Sequence, residues 1–172
     1  MLKISGAILC ILGCSGFGIL KIAGWKKDLA HLQNWLLLFQ RIKSRILYQK
    51  EALEESCIWI GEKQEDKIGV LLWKIGMRAR EERYKEFAGI WIEEVDAWCR
   101  KNVQNKNIRE LLLQFPGYVK EADEQLQTEL FSFYIEELQK EKEKIEQQIL
   151  EKQKPVMAVS LIGGVMISIL LI

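Results

Sequence analysis

The sequence predicts an all-α protein: a soluble bundle of about five or six helices between an N-terminal and a C-terminal transmembrane helix. An apolar run lies near each end of the 172-residue chain. Between these runs, apolar residues recur every three or four positions, as they do along one face of an amphipathic helix. The chain contains 2 Pro, which favours long helices over a turn-rich β fold. We therefore expect an N-terminal anchor over 1–25, a helical bundle with a long final helix over 26–154, and a C-terminal transmembrane helix over 155–172.

The composition excludes several classes of protein. A formal net charge of +1 argues against a dedicated nucleic-acid-binding protein, which would carry a basic surplus. An apolar content of 49% argues against intrinsic disorder. The charge is unevenly distributed, because residues 1–50 hold eight basic residues and one acidic residue, Asp28. This asymmetry predicts a basic collar close to a membrane, where anionic lipids would be partners.

The first apolar run extends from Ile4 to Ile22 and is interrupted by Lys21 alone. It is long enough to cross a bilayer, and Trp25 follows where an interfacial aromatic residue is expected. Two alternatives remain: a cleaved signal peptide, and a lipoprotein signal with Cys14 as the lipidated residue. The apolar run continues past Cys14, which favours an uncleaved anchor.

The second apolar run extends from Val156 to Ile172 without a charge. Pro155 precedes it, either in the first turn of a new helix or at a kink in a continuing one. Small residues recur every four positions in both runs, and such ridges allow close helix packing in lipid, although small residues are also simply frequent in spans. The residues predicted to pack are Gly6, Cys10, Cys14, Gly18, Ser160, Gly164 and Ser168.

The orientation follows from the lysines beside the two runs. Lys21, Lys26 and Lys27 flank the first run, and Lys152 and Lys154 flank the second, all on the side of the middle segment. Because basic residues favour the cytoplasmic side, we expect the bundle in the cytoplasm.

The middle segment divides into several amphipathic helices. We predict helices from about 27 to 48 and from 52 to 62, then a helix capped by Asp66 that contains Trp73 and Met77. A further helix is expected from about 82 to 101, followed by a loop over 102–107. Five of the six Trp residues lie in the middle segment, and most of them are expected in the core.

A short helix ends at Pro116 and Gly117, and a long final helix follows from Val119. Its apolar stripe thins after Leu138, which predicts a helix that leaves the core and runs toward the membrane. The seven-residue spacing of Phe131, Leu138 and Ile145 also permits a short coiled-coil seam with a partner.

The sequence offers no recognisable catalytic or metal-binding pattern. Its single His, His31, has no nucleophile or metal-ligand motif beside it, and the four Cys have no C-x-x-C spacing. Cys57 and Cys99 are expected to be reduced core residues, with a disulfide as the alternative. Adjacent Glu pairs point to different sides of a helix and are expected to be solvated. We therefore predict a non-enzyme without cofactor or metal.

A basic outer face on the first amphipathic helix is the predicted partner contact. Lys43, Arg45 and Lys50 are expected to meet an acidic patch on another protein.

The full layout resembles the stage III sporulation protein AB family of endospore-forming bacteria. Met1-Leu2-Lys3 opens directly into a span, and the chain closes on Ile169-Leu170-Leu171-Ile172. The segment from His31 to Tyr48 is similar to the first soluble helix of that family, and Phe115 lies where the family has a Phe-Gly turn. Pro116-Gly117-Tyr118 and Pro155 depart from the family pattern.

The resemblance implies a helical domain similar to the cytoplasmic domain of the F-type inner-membrane component of type II secretion platforms. It also implies a place in the mother-cell-to-forespore channel, in the outer forespore membrane. Partners implied in the same way are other stage III sporulation channel proteins, including the stage III AA ATPase, and the family brings no catalytic residues. The expected function is therefore a non-enzymatic membrane platform that docks an ATPase. The alternative is a membrane-surface tether or a structural channel component whose bundle lies outside the cytoplasm.

Overall fold

Helices account for all the regular structure in the described part of the chain. The computed structural model describes the backbone of residues 2–82, 85–119 and 124–171, and the side chains of 18–82, 85–119, 125–159, 162 and 166. Over these residues there is no β-strand, which confirms the predicted all-α fold. The elements are α1 (Leu2–Gln49), α2 (Leu53–Lys63), α3 (Lys67–Glu81), α4 (Phe87–Asn102), α5 (Lys106–Gln114), a 3-10 turn (Phe115–Tyr118) and α6 (Glu124–Leu171).

The predicted membrane segments lie at the two ends of the chain. Within the described residues, no helix combines the length and apolar character that a membrane span requires. Of the residues predicted to pack in lipid, Gly18 is buried. The side chains of the others lie outside the described residues: Gly6, Cys10, Cys14, Ser160, Gly164 and Ser168.

Several predicted helix ends agree with the structure. Asp66 caps α3 as expected, because its Oδ1 accepts hydrogen bonds from the backbone N–H groups of Ile68 at 3.1 Å and Gly69 at 2.7 Å. Pro116 and Gly117 end α5, where the chain tightens into the 3-10 turn. The loop expected over 102–107 is shorter, because Asn105 caps α5 through its side chain.

The predicted start of the fourth helix at residue 82 is wrong. Glu82 instead closes α3, because its backbone N–H bonds to the carbonyl of Arg78 at 2.7 Å and its side chain accepts from the Arg78 guanidinium. The next helix, α4, begins at Phe87. A sequence of helix-forming Glu and Arg residues does not reveal this break, since it depends on a specific side-chain pair.

Both long helices are continuous where the sequence suggested boundaries. α1 runs through residues 25 and 26, and α6 contains Pro155 in its interior, so this proline does not begin a new helix. By contact density the chain forms two units: residues 30–142, and residues 1–29 together with 143–172.

Aromatic side chains form the core of the unit over 30–142. Trp35, Phe39, Trp91, Phe115 and Tyr134 are fully buried and contact one another, with ring centroids 4.6 Å apart for Phe39 and Phe115. Two buried polar groups are satisfied by α5 carbonyls, since Trp91 Nε1 donates to Leu112 O at 2.8 Å and the Tyr134 hydroxyl donates to Leu111 O at 3.1 Å. These bonds fix α5 between α4 and α6.

The unit over 1–29 and 143–172 pairs the first part of α1 with the last part of α6. Its described core contains Ile22, Ile145 and Ile149 together with a buried carboxylate, Asp28. The Lys21 ammonium lies 5.8 Å from the centre of the Trp25 ring, a cation–π distance.

Candidate partner-binding surface

The α2–α3 hairpin is tightly packed, and glycines make this close approach possible. A Cβ atom on Gly76 would lie 2.6 Å from the Glu54 carbonyl oxygen and 2.6 Å from Ile58 Cγ1. On the opposite helix, a Cβ on Gly61 would lie 2.7 Å from the Gly69 carbonyl oxygen. The two backbones are thus too close for larger residues at these positions, and the hairpin is a rigid support for its outer face.

An apolar stripe on α3 lies beside the contact with α2, since Trp73 Cβ lies close to Gly61, and it is partly open to solvent. Val70, Trp73 and Met77 are spaced three and four residues apart on α3, which places them on one face of the helix. Val70 is 60% exposed and Trp73 is 43% exposed, while Met77 is half-buried. We call these three residues the α3 stripe. Exposed Trp residues on a rigid element are typical of protein-binding surfaces.

The sequence places Trp73 in an apolar helix but does not show which of the apolar residues in that helix face solvent. The buried face of α3 is formed instead by Ile68, Leu71, Leu72 and Ile75, so the apolar residues of α3 cover two faces. Trp59 on α2 is also exposed, whereas Trp35, Trp91 and Trp98 are core residues as predicted. The sequence did contain an indication of this exposed surface. The apolar residues of α3 cover more of the helix circumference than a single buried face can accommodate.

A network of ion pairs joins α3 to α4 beside the α3 stripe. Arg78 donates to Glu82 at 2.7 Å, to Glu94 at 2.7 Å and to Glu93 at 3.3 Å. Lys74, which is adjacent to Trp73, donates to Glu94 at 2.8 Å. The network fixes the orientation of α3 on α4. It also places charged side chains along the edge of the α3 stripe.

The network shifts the pKa values of its members. Hydrogen bonds from Arg78 lower the pKa of Glu82, and a hydrogen bond from Lys85 is the main reason that the pKa of Glu93 is lowered. Burial opposes ionisation of Glu94, but hydrogen bonds from Lys74 and Arg78 outweigh it and the pKa of Glu94 is also lowered. Arg78 is thus paired with acidic residues on α3 and α4, and these carboxylates are ionised at neutral pH.

The structure places the three basic residues predicted to contact a partner in different environments. Lys43 donates to the Ser132 hydroxyl of α6 at 2.6 Å. Arg45 is 12% exposed; its Nε donates to Glu51 at 2.7 Å and its guanidinium lies 3.9 Å from the centre of the Trp59 ring. Lys50 is exposed and has a positive φ of 55° at the end of α1. Two of the three side chains thus make contacts within the bundle, and the partner contact through Lys43, Arg45 and Lys50 stays a prediction.

The remaining candidate residues, Cys57, Cys99 and His31, pack within the bundle. Cys57 and Cys99 are buried free thiols, as predicted, and burial raises the pKa of Cys57 far above its ordinary value. His31 packs edge-on against Trp98 with ring centroids 5.2 Å apart. In the described ranges, no three His, Cys, Asp or Glu side chains converge as metal ligands would.

Comparison with known proteins identifies the family. No curated protein and no solved structure matches the chain. The model of the family described as stage III sporulation protein AB matches residues 3–172, which is nearly the full length. The chain therefore belongs to the stage III sporulation protein AB family.

Proposed function

We propose that this protein is a non-enzymatic membrane platform in the secretion-like channel apparatus of endospore formation, and that it docks a partner ATPase. The observation that carries the proposal is the α3 stripe on its glycine-packed hairpin. A rigid, exposed aromatic surface bordered by Lys74 and Arg78 is suited to binding another protein. Membership of a stage III sporulation family supports the process in which this binding would occur.

The membrane attachment in this proposal comes from the sequence. The runs over 4–22 and 156–172 are apolar enough in composition to enter a bilayer, and the lysines beside them favour a bundle on the cytoplasmic side. The resemblance to the sporulation family implies that this membrane is the mother-cell (outer forespore) membrane. A cytoplasmic bundle would be accessible to an ATPase. An extracytoplasmic bundle would favour a tether or a structural channel component.

Docking is tested by capture of the stage III AA ATPase with the full-length chain in detergent. We expect Trp73→Ala and Val70→Glu each to weaken capture at least tenfold, because they remove the centre of the stripe. Ile92→Ala is the matched control, since Ile92 is an exposed apolar residue on α4. Equal capture by wild type and both stripe variants would refute docking at this surface.

Topology is tested separately with a reporter inserted between α4 and α5, at Gln104. A cytoplasmic signal agrees with the ATPase platform. An extracytoplasmic signal would exclude direct ATPase docking and favour the alternative function.

A further inference from the structure

A line of charged residues runs along the edge of the α3 stripe that lies toward α4. Lys67, Lys74 and Glu81 are spaced seven residues apart, which is two helical turns, so they lie on one line of α3. All three are exposed, and each is three or four residues from a member of the stripe. We call these residues the α3 charge line. The hydrogen bond from Lys74 to Glu94 places the line on the α4 side of the stripe.

The two end charges of this line oppose the preference of their own helix. Lys67 is the first residue of α3, and Glu81 is its last. The N-terminus of a helix carries a partial positive charge and favours acidic residues, while the C-terminus favours basic residues. Lys67 and Glu81 are therefore each slightly unfavourable for α3 itself. Among the described residues, no ion pair joins either charge to another side chain, so neither charge is balanced within the bundle.

The opposite edge of the stripe has no such order of charges. On this side Gly76 packs against α2. Arg80 follows Met77 by one helical turn, and Glu62 lies on α2 next to Gly61, so charges of both signs are present. The charges that are ordered along the stripe are those of the α3 charge line, which is basic at the start of α3 and acidic at its end.

We propose that the α3 stripe binds an amphipathic helix of the partner protein, and that this helix runs parallel to α3 with an acidic residue opposite Lys67 and a basic residue opposite Glu81. The proposal rests on the use of the α3 stripe as a binding surface, as proposed above. Acidic residues in the first turn and basic residues in the last turn suit the macrodipole of any helix. The charges that are unfavourable in α3 are therefore complementary to an ordinary helix lying beside it.

The same charges select the direction of the bound helix. In the parallel arrangement, both ends of the α3 charge line meet opposite charges. In an antiparallel arrangement, the basic end of the bound helix would lie opposite Lys67 and its acidic end opposite Glu81, which places like charges together. Apolar contact with Val70, Trp73 and Met77 is available in both arrangements. The stripe thus supplies the apolar contact, and the α3 charge line decides the orientation.

The test uses two synthetic helical peptides with the same composition and net charge. Both have the same apolar stripe, and both have neutral Gln on one flank. On the flank that faces the α3 charge line in the parallel arrangement, the first peptide has Glu near its start and Lys near its end, and the second peptide has these two residues exchanged. Binding to the full-length chain in nanodiscs of neutral lipid is measured by fluorescence anisotropy of the labelled peptide, with empty nanodiscs as the blank.

We expect the wild-type chain to bind the first peptide about tenfold more tightly than the second, since the exchange replaces two opposite-charge pairs by two like-charge pairs. The double variant Lys67→Glu/Glu81→Lys should reverse this preference by a similar factor. The double variant keeps the net charge and leaves Lys74 paired with Glu94. It also suits the macrodipole of α3, so a reversed preference does not arise from a weakened fold.

Lys106→Glu/Glu110→Lys is the matched control, because it exchanges two exposed charges on α5 and should leave both affinities unchanged. Trp73→Ala should weaken the binding of both peptides at least tenfold. The proposal is overturned if neither peptide binds, if both bind equally, or if the double variant keeps the wild-type preference.

The outcomes for this proposal and for ATPase docking can be separated. Capture of the ATPase that depends on Trp73, without a preference between the peptides, would leave the docking proposal standing and overturn this one. A preference that the double variant reverses, without capture of the ATPase, would support this proposal and refute docking of the ATPase at the α3 stripe.

Discussion

Arg78 and Glu94 form a hydrogen-bonded ion pair of 2.7 Å between α3 and α4. Arg78 also holds Glu82, the residue that closes α3, so one guanidinium stabilises both the end of a helix and its packing on the next one. Arg78 donates in a fixed planar geometry that Lys cannot reproduce. The α3–α4 connection and the support of the α3 stripe therefore depend on this residue.

Arg78→Gln is expected to lower the free energy of unfolding by about 1–2 kcal/mol. Charge-assisted hydrogen bonds contribute more than neutral ones, but partial exposure reduces the effect. Denaturant unfolding of the full chain, followed by Trp fluorescence, measures it. Arg80→Gln is the matched control, since Arg80 is an exposed arginine of the same helix turn; equal losses for both variants would contradict the role given to Arg78.

Acid should destabilise the 30–142 unit through the same network. The pKa values of Glu82, Glu93 and Glu94 are lowered in the folded state, so their contribution is fully present above the unfolded pKa of about 4.3. It is lost as pH falls through the lower folded values. The thermal unfolding midpoint, measured from pH 7 to pH 3, should decrease below about pH 4.3, and the decrease should be shallower in Arg78→Gln. An identical pH profile for the two proteins would exclude the network as the cause.

Gly76→Ala should destabilise the α2–α3 hairpin by about 1–3 kcal/mol, because the added methyl meets the Glu54 backbone and Ile58 and forces the helices apart. Gly89→Ala provides the contrast. Its methyl would meet nothing nearer than Lys85 Cε at 3.6 Å, so the higher helix propensity of Ala should stabilise α4 by about 0.5–1 kcal/mol. Denaturant unfolding of both variants should show a lower free energy of unfolding for Gly76→Ala and a higher one for Gly89→Ala. Stabilisation by Gly76→Ala would show that α2 and α3 can move apart without a loss of stability.

Lys50→Gly should stabilise the chain by about 0.5–1 kcal/mol, since Lys50 has a φ of 55°, a conformation that costs other L-residues energy and glycine little. Ser44→Gly, at an exposed position inside α1, should have the opposite effect. The same unfolding measurement applies. If Lys50→Gly were destabilising instead, the Lys50 side chain would contribute more to the folded state than its backbone strain costs.

The positions of several helix ends could be predicted from residues that lie close together in the sequence. Asp66 begins α3 and Pro116-Gly117 ends α5 because capping and chain breaking involve residues close together in sequence. The break between α3 and α4 could not be read in this way. It depends on Arg78 holding Glu82 and on Glu93 and Glu94 of the following helix, an arrangement that exists only after the helices pack.

The residues of the candidate surface were harder to predict from the sequence than the residues of the core. Charge pattern alone grouped Lys43, Arg45 and Lys50, but packing directs Lys43 to Ser132 and Arg45 to Glu51 and Trp59. Apolar pattern alone predicted that most Trp residues lie in the core but could not say which. In the structure Trp73 lies beside Gly61 of α2 and remains 43% exposed.

The helical class, the caps and the reduced cysteines follow from the sequence alone, because they depend on periodicity, local hydrogen bonding and composition along the chain. The sporulation family was indicated by the resemblance of the whole sequence and is shown by the family model that matches residues 3–172. Only the packing of the helices decides which apolar residues face solvent and which basic residues are held against the bundle, as Lys43 is by Ser132. The reason is geometric: exposure and pairing depend on which helices become neighbours, and residues such as Phe39 and Tyr134 meet only after the chain has folded back on itself.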